Sequence, residues 1–322
     1  MTSMQPDVLV IGAGVSGLTT AICLAEAGRQ VDVAAADPPL RTTSAAAGAI
    51  WGPHLVGMDD RVDKWSLRTL ATLTELAADP ATGVRVATGT FATRAGQSEP
   101  EDWVAAIASS RPCAPAELPA GFAGGWRLTV PIVSMTVYLR YLLDRLTRAG
   151  GRLRAAEFGS LAQAAATTGA PVIVNCTGIG ARRLVQDNDL VPVRGQVIIA
   201  RNPGLREFLV GAGDGPHDFS YYFPHGDLVL LGGTEEAGNW SLDPDPATAA
   251  RILRSCAAAE PRLAGAEVIE HRVGLRPVRP SVRLEEEESL DGRRVVHNYG
   301  HGGAGVTLSW GCAQDVVAEV VG

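Results

Sequence analysis

Two stretches of the chain hold residue types that do chemistry on a charged ligand. The first is Val8-Leu9-Val10-Ile11-Gly12-Ala13-Gly14-Val15-Ser16-Gly17-Leu18, an apolar run that breaks into three spaced glycines and continues as an apolar, helix-like stretch through Ala27. A strand ending at Ile11, a tight turn at Gly12, room at Gly14 for a pyrophosphate against the backbone, and close helix–strand packing at Gly17 make a dinucleotide-binding turn. The anion then sits on the helix N-terminus beside Ala13, Val15 and Ser16, where unpaired N–H groups point at it. A second strand at Val31 to Ala35 completes a βαβ start. The motif alone does not separate FAD from NAD.

The second stretch is Gly274-Leu275-Arg276-Pro277-Val278-Arg279-Pro280, with two arginines three apart in a proline-stiffened segment. Little backbone entropy remains to be lost there, so a guanidinium fork is held ready for a carboxylate. Two surface arginines in a Pro-rich turn is the plainer reading of the same residues. Further on, His297 to Thr307 carries glycines at 300, 302, 303 and 305 before a helical pattern that runs through Val321. Glycine this dense implies backbone packed against something planar or charged. A loop opening a helix aims N–H groups at partial negative charge, such as the pyrimidine edge of a reduced flavin. His297 and His301 read as loop residues with no carboxylate at ligand spacing, so no metal site is expected.

The rest of the chain has to position these groups. At 322 residues it is long enough for two lobes, each with its own core. Its net charge of −7 comes with no long basic cluster, which gives no footprint for nucleic acid. No window approaches the ~18 apolar residues that a membrane span needs, so no membrane partner is expected. Five scattered cysteines without CxxC spacing argue against a disulfide framework or a zinc site. With Met1 to Asp7 too short and polar for a signal peptide, the cytoplasm is the expected compartment. Helices are predicted over Asp63 to Ala78, Val133 to Ala149 and Asp245 to Ala259. Strands are predicted near Gly83 to Ala92, Arg152 to Ala156, Pro171 to Gly178, Val193 to Ala200, Leu228 to Gly233 and Glu267 to Val273. Pro100 to Gly125 reads as loop with a short helix, and the run Glu285 to Glu288 as a solvated turn.

Six blocks, VIGAGVSGL, RTTSAAAGAIW, VIVNCTG, LGGTEEAGNW, GLRPVRP and HNYGHGGAGVTLSWG, occur in that order over the full length. Together they resemble the D-amino-acid oxidases far more specifically than the glycine turn does alone. The resemblance implies an α/β protein: a Rossmann-like FAD-binding domain beside a second, mainly antiparallel β-sheet substrate domain. Residues 1–57, 138–190 and 272–322 are expected to form the first, and 58–137 and 191–271 the second. It also implies non-covalent FAD and a reaction. A D-amino acid loses hydride from Cα to flavin N5, the imino acid hydrolyses to a 2-oxo acid and ammonia, and dioxygen reoxidises the flavin to give hydrogen peroxide.

Carried over by position, Arg276 is expected to pair with the substrate carboxylate and the Tyr221 hydroxyl to add a hydrogen bond to it. The Gly303 carbonyl is expected to accept from the amine. FAD is expected to contact Gly12, Ala13, Gly14, Val15, Ser16 and Gly17, then Asp37, Arg41, Thr42, Thr43, Ser44, Ala47 and Gly48. Val174, Cys176, Thr177 and Gly178 follow, and Gly302, Gly303, Gly305, Val306 and Thr307 complete the set, with Thr307 on the flavin C2 carbonyl side.

Departures from the mammalian members bear on the substrate pocket. Gly52 stands where they have a glutamine, and His217 where they have a second tyrosine, while His54 is a further pocket candidate. The segment from Gly211 to Phe219 looks slightly shorter than their lid. At the end of the second strand Ala35 and Ala36 occupy the usual places of the ribose-binding acid, and Asp37 follows. The resulting expectation is oxidation of neutral, hydrophobic D-amino acids. The alternatives are a glycine or secondary-amine oxidase, a D-aspartate oxidase, for which no arginine lies between Gly211 and Gly233, and a non-catalytic flavin-binding protein. Oligomeric state stays open, with a homodimer as one option.

Overall fold

The computed structural model describes residues 5–57, 59–97, 99–212, 219–288 and 292–321. His217 lies outside them. Among the described residues the strands join one continuous sheet with two differently built halves. The parallel half runs Arg294–His301, Val172–Asn175, Val8–Ile11, Val31–Ala35, Arg152–Ala155. Val8–Ile11 and Val172–Asn175 are buried at every position, as unbroken apolar strands covered on both faces must be. Helix Val15–Glu26 packs between this sheet and the C-terminal helix Gly305–Val321. The two helices are tied by the Thr19 hydroxyl, which reaches the Ser309 carbonyl at 3.2 Å.

The other half is antiparallel apart from one parallel pair, Val84–Thr93 with Phe208–Ala212. Its strands follow in the order Gly124–Val133, Val84–Thr93, Phe208–Ala212, Phe219–His225, Leu228–Gly232, Val191–Arg201. Alternation along Phe219–His225 places Phe219, Tyr221 and Phe223 on one face. A single 21-residue strand, Val268–Glu288, joins the halves, pairing with Val191–Arg201 on one side and Arg294–His301 on the other.

That long strand corrects two sequence expectations. The predicted strand stopping at Val273 continues through GLRPVRP, so Arg276 and Arg279 belong to a strand rather than a turn. An odd spacing in a strand sends side chains to opposite faces. Arg276 accordingly turns into the cavity, whereas Arg279 leaves it and binds Asp187 at 3.1 Å. The acidic run from Glu285 is also strand and not a turn: Glu286 pairs in register with Val296 and bonds Arg294 at 2.7 Å. His297 and His301, read as loop residues, are buried in strand Arg294–His301.

Candidate active site

A cavity of about 850 Å³ crosses the junction of the two halves. Its inner end is made of main chain. Gly12 has φ of +113° and faces the Cys176 carbonyl so closely that a Cβ would collide with it. Gly17 is equally pressed against the Gly12 carbonyl, which lets the helix start directly behind the strand. Gly14 opens that helix in extended conformation, without a side-chain cap and with no acid in the first turn. The Val15 N–H is met at 2.9 Å by the Ser44 hydroxyl, which lies 3.1 Å from where a Gly14 Cβ would be. Ala13, Val15, Ser16, Asp37, Arg41, Thr42, Thr43, Ser44, Ala47 and Gly48 extend this wall, joined by Cys176, Thr177 and Gly178 from the next strand. Asn175, buried beneath them, accepts from the Thr177 N–H at 3.2 Å and from its hydroxyl at 2.7 Å.

Three expected contacts fall outside the wall. Gly17 packs against the Gly12 carbonyl behind it. Val174 is wholly buried in its strand. Thr307 is likewise buried, and its hydroxyl donates to the Gly52 carbonyl at 2.9 Å and accepts from the Gly52 N–H at 3.2 Å. Its side chain fastens the loop at 52 instead of facing the cavity.

The other end is made of side chains. The Arg276 guanidinium lies across Gly195, where a Cβ would come within 2.6 Å of both Nη atoms, and donates to the Thr234 carbonyl at 2.9 Å. Tyr221 lies over Gly232 and Gly233, a Cβ on the latter coming within 2.7 Å of its ring. Phe223 stacks on Tyr221 at 4.9 Å, and Phe219 meets it edge-on at 5.4 Å. Burial pushes the Tyr221 pKa above its ordinary value, with the neighbouring Arg276 charge pulling in the opposite direction. The hydroxyl therefore stays protonated, a donor beside a cation, at neutral pH. An acceptor with two oxygens suits that pair.

Opposite the clamp, Gly302 and Gly303 approach residues 54 and 55. Gly302 has φ of +55° and abuts the Leu55 carbonyl, while the Gly303 N–H donates to the His54 carbonyl at 3.1 Å. The His54 ring leaves 2.5 Å for a Cβ at Gly303. It stacks on Phe219 with centroids 6.0 Å apart, and its Nε2 is 3.0 Å from Glu235 Oε1. At Gly52 the missing side chain leaves space that Trp103 fills, its Cη2 3.1 Å from the would-be Cβ. Trp103 packs edge-on against Phe91 and Trp51. Gly305 and Val306 also line the cavity.

Phe91, Trp103, Phe219, Phe223 and Glu235 were missed in the sequence. Phe219, Tyr221 and Phe223 had a signal, since every second residue of one strand is aromatic. Trp103 and Phe91 had none, because only tertiary packing brings Trp103 over Gly52 and against Phe91.

Residues 7–319 match the DAO family, described as FAD dependent oxidoreductase. The chain belongs to the DAO family of FAD-dependent oxidoreductases. The D-amino-acid oxidase of Rubrobacter xylanophilus is 49% identical over 96% of this chain and 94% of its own length. That of Streptomyces coelicolor is 46% identical over 96% and 95%, and the D-aspartate oxidase of Homo sapiens 32% over 97% and 94%. Among solved structures, glycine oxidase from Geobacillus kaustophilus superposes with a TM-score of 0.82 at 20% identity, covering 99% of this chain and 95% of that one. The fold is therefore that of the DAO flavoenzymes, and FAD is the cofactor. The residues present fit it: a glycine-lined, uncapped helix start suits a pyrophosphate, and the cavity runs on from there to the Arg276 clamp. Among the described residues no helix is long and apolar enough to cross a membrane.

Proposed function

We propose that this DAO-family protein is a D-amino-acid oxidase acting on D-amino acids and dioxygen. The observation that carries the reading is the placement of Arg276 and Tyr221 in one cavity with the dinucleotide cradle. Arg276 holds the substrate carboxylate by its fork, and the Tyr221 hydroxyl donates to the same group. The Gly303 carbonyl accepts from the amine, so that carboxylate and amine are both fixed and only the D isomer presents its Cα–H inward. When bound, FAD supplies the two-electron acceptor for the hydride from Cα, and dioxygen restores it with release of hydrogen peroxide. The chain's own contribution is orientation and exclusion of water by the aromatic wall, with no side-chain base. The imino acid then hydrolyses to 2-oxo acid and ammonia. Asp37 at the cavity wall is assigned to the adenosine ribose. Residues 1–57, 138–190 and 272–322 form the FAD-binding domain, from which Arg276 and Gly303 reach the substrate, and 58–137 and 191–271 form the substrate-binding domain.

Acidic substrates are disfavoured by a specific contact. Among the described residues, the arginines on the wall apart from Arg276 are Arg41 and Arg183, which stand with the nucleotide-side residues, and His54 is engaged by Glu235. The test is a panel of D- and L-amino acids with glycine and sarcosine, read as peroxide and 2-oxo acid. Release with neutral D isomers alone is expected. Turnover of glycine or sarcosine in preference would replace this reading with a glycine or secondary-amine oxidase.

A further inference from the structure

Strand Val191–Arg201 is the floor of the carboxylate clamp, and its two faces hold different things. Gly195 lies under the Arg276 guanidinium, whereas Arg194 and Gln196 point to the opposite face by strand alternation. Both are buried, Arg194 to 2% exposure. The Arg194 guanidinium donates from Nη1 to Glu236 at 2.9 Å and from Nε to the Ser241 carbonyl at 3.0 Å. Its Nη2 serves the Asp243 carbonyl at 2.6 Å and Gln196 Oε1 at 2.9 Å. Gln196 in turn donates to the Asp245 carbonyl at 2.9 Å, and its Oε1 also accepts from the Asp245 N–H at 2.8 Å. Two side chains of one strand thus grip residues 236–245 along their length.

Burial does little to hold that segment. Residues 240–245 are all exposed, Trp240 at 51% and Leu242 at 63%, so polar bonds set their conformation. The segment nevertheless belongs to the site, because Leu242 is on the wall of the large cavity and the Thr234 carbonyl receives Arg276. Thr234 stands in a β-bulge. Gly232 pairs with Val197, and pairing to the same strand resumes with Glu236 opposite Arg194, which sets three residues, 233–235, against two, 195 and 196. A bulge of this kind re-aims the groups it carries. Within it the Gln196 N–H donates to the Thr234 hydroxyl at 2.9 Å, and Arg194 fixes its downstream end through Glu236.

We propose that Arg194 is a positioning residue for substrate binding, a second, buried guanidinium that holds the bulge at Thr234 and through its carbonyl sets the fork of Arg276. An arginine tied to a fixed carbonyl meets a carboxylate with its fork already placed, and has less side-chain freedom to lose on binding. The grip itself requires a fork. A lysine at 194 keeps the charge opposite Glu236 but cannot serve the acceptors of Nε, Nη1 and Nη2 together. This role rests on the D-amino-acid oxidase reading above and adds to it a residue that acts through Arg276 without touching the substrate.

The test makes Arg194→Lys alone and together with Arg276→Ala. The FAD-loaded proteins are compared by D-valine kinetics and by the Kd of 3-methylbutanoate, the same carboxylate without the amine, read as a shift of the visible flavin band. Arg194→Lys is expected to raise the D-valine KM and that Kd about five- to tenfold, with kcat within about twofold of wild type and flavin content unchanged. In the Arg276→Ala background it is expected to change kcat/KM by less than about twofold, because the arginine it acts through is already gone. Equal losses in both backgrounds, or a loss confined to kcat or to flavin content, would overturn the proposal. Should the lysine variant not fold, Glu236→Gln, which loosens the same grip from its exposed side, is expected to raise KM about two- to threefold, and an unchanged KM would overturn the proposal. A wild type with neither D-valine turnover nor a carboxylate-induced flavin shift would bring down the enzyme assignment and this proposal with it, whereas uncoupled variants of an active wild type would overturn the proposal alone.

Discussion

At the nucleotide end of the cavity the wall is mostly main chain, shaped by glycines that leave N–H groups and close approaches. At the substrate end it is side chains, Arg276, Tyr221, Phe219, Phe223 and Trp103, each delivered by a different segment or strand position. The first kind of site tolerates no added atoms, because its function is the absence of Cβ. The second tolerates substitution of shape and fails when charge is lost. Mutations at the two ends should therefore fail differently, one in cofactor loading and the other in turnover.

The largest effect is expected at Gly12. Gly12→Ala places a Cβ against the Cys176 carbonyl at φ of +113°. Overpacking of ~1–3 kcal/mol adds to a left-handed cost of ~1–2 kcal/mol. Both the flavin absorbance of the purified protein and its denaturation midpoint should fall; a fully yellow, equally stable variant would show that this turn is not a tight one. Gly14→Val probes the same end without the strained φ, and is expected to lower flavin content with a smaller change in stability.

Arg276→Ala comes next and should spare the flavin. Loss of a charge-assisted interaction of about 1.5–3 kcal/mol corresponds to a roughly ten- to hundredfold lower kcat/KM on D-valine. If flavin content falls in step with activity, the division between the two ends is wrong. Tyr221→Phe removes one hydrogen bond and should cost roughly two- to tenfold in kcat/KM. Because burial raises the Tyr221 pKa, its hydroxyl should produce no inflection in the wild-type pH profile below the ordinary tyrosine range.

Away from both ends of the cavity, an effect on stability alone concerns strand Arg294–His301, which pairs with the strand that joins the halves. His301 is wholly buried with its pKa pushed down to about 4, and burial lowers that of His297 as well. Folding lowers the proton affinity of both, so unfolding takes up protons at acid pH. The stability they contribute is complete above the ordinary imidazole value of ~6.5 and drains away as pH falls toward the folded values, at ~1.4 kcal/mol per pH unit for each proton. Denaturant titrations between these limits should show that slope, and His301→Gln should reduce it. A slope unchanged by the substitution would place the titration elsewhere.

The same contrast explains what could be read from the sequence. Glycine spacing encodes the phosphate turn locally, and helices such as Asp60–Leu76 and Pro246–Ala259 announce themselves by apolar period and an aspartate cap. The role of Arg276 was legible as a motif, but not that Arg279, three residues on, faces away. That follows from a strand running to Glu288 through two prolines, which local propensity argues against. The acidic run from Glu285 looked like a solvated turn because its partners Arg294 and His297 are supplied by strand pairing. Thr307 matched a motif position, yet its hydroxyl is taken by Gly52, some 255 residues away in sequence. The pairing of His54 with Glu235 likewise has no local signature.

The central claim is that one cavity joins a flavin site to a D-amino-acid carboxylate clamp. It is tested most directly by mixing the FAD-loaded protein anaerobically with D-valine or L-valine and following the visible flavin band. Rapid bleaching by D-valine, none by L-valine, and slowed bleaching in Arg276→Ala are predicted. Bleaching by both isomers, or a D-valine rate indifferent to Arg276, would contradict it.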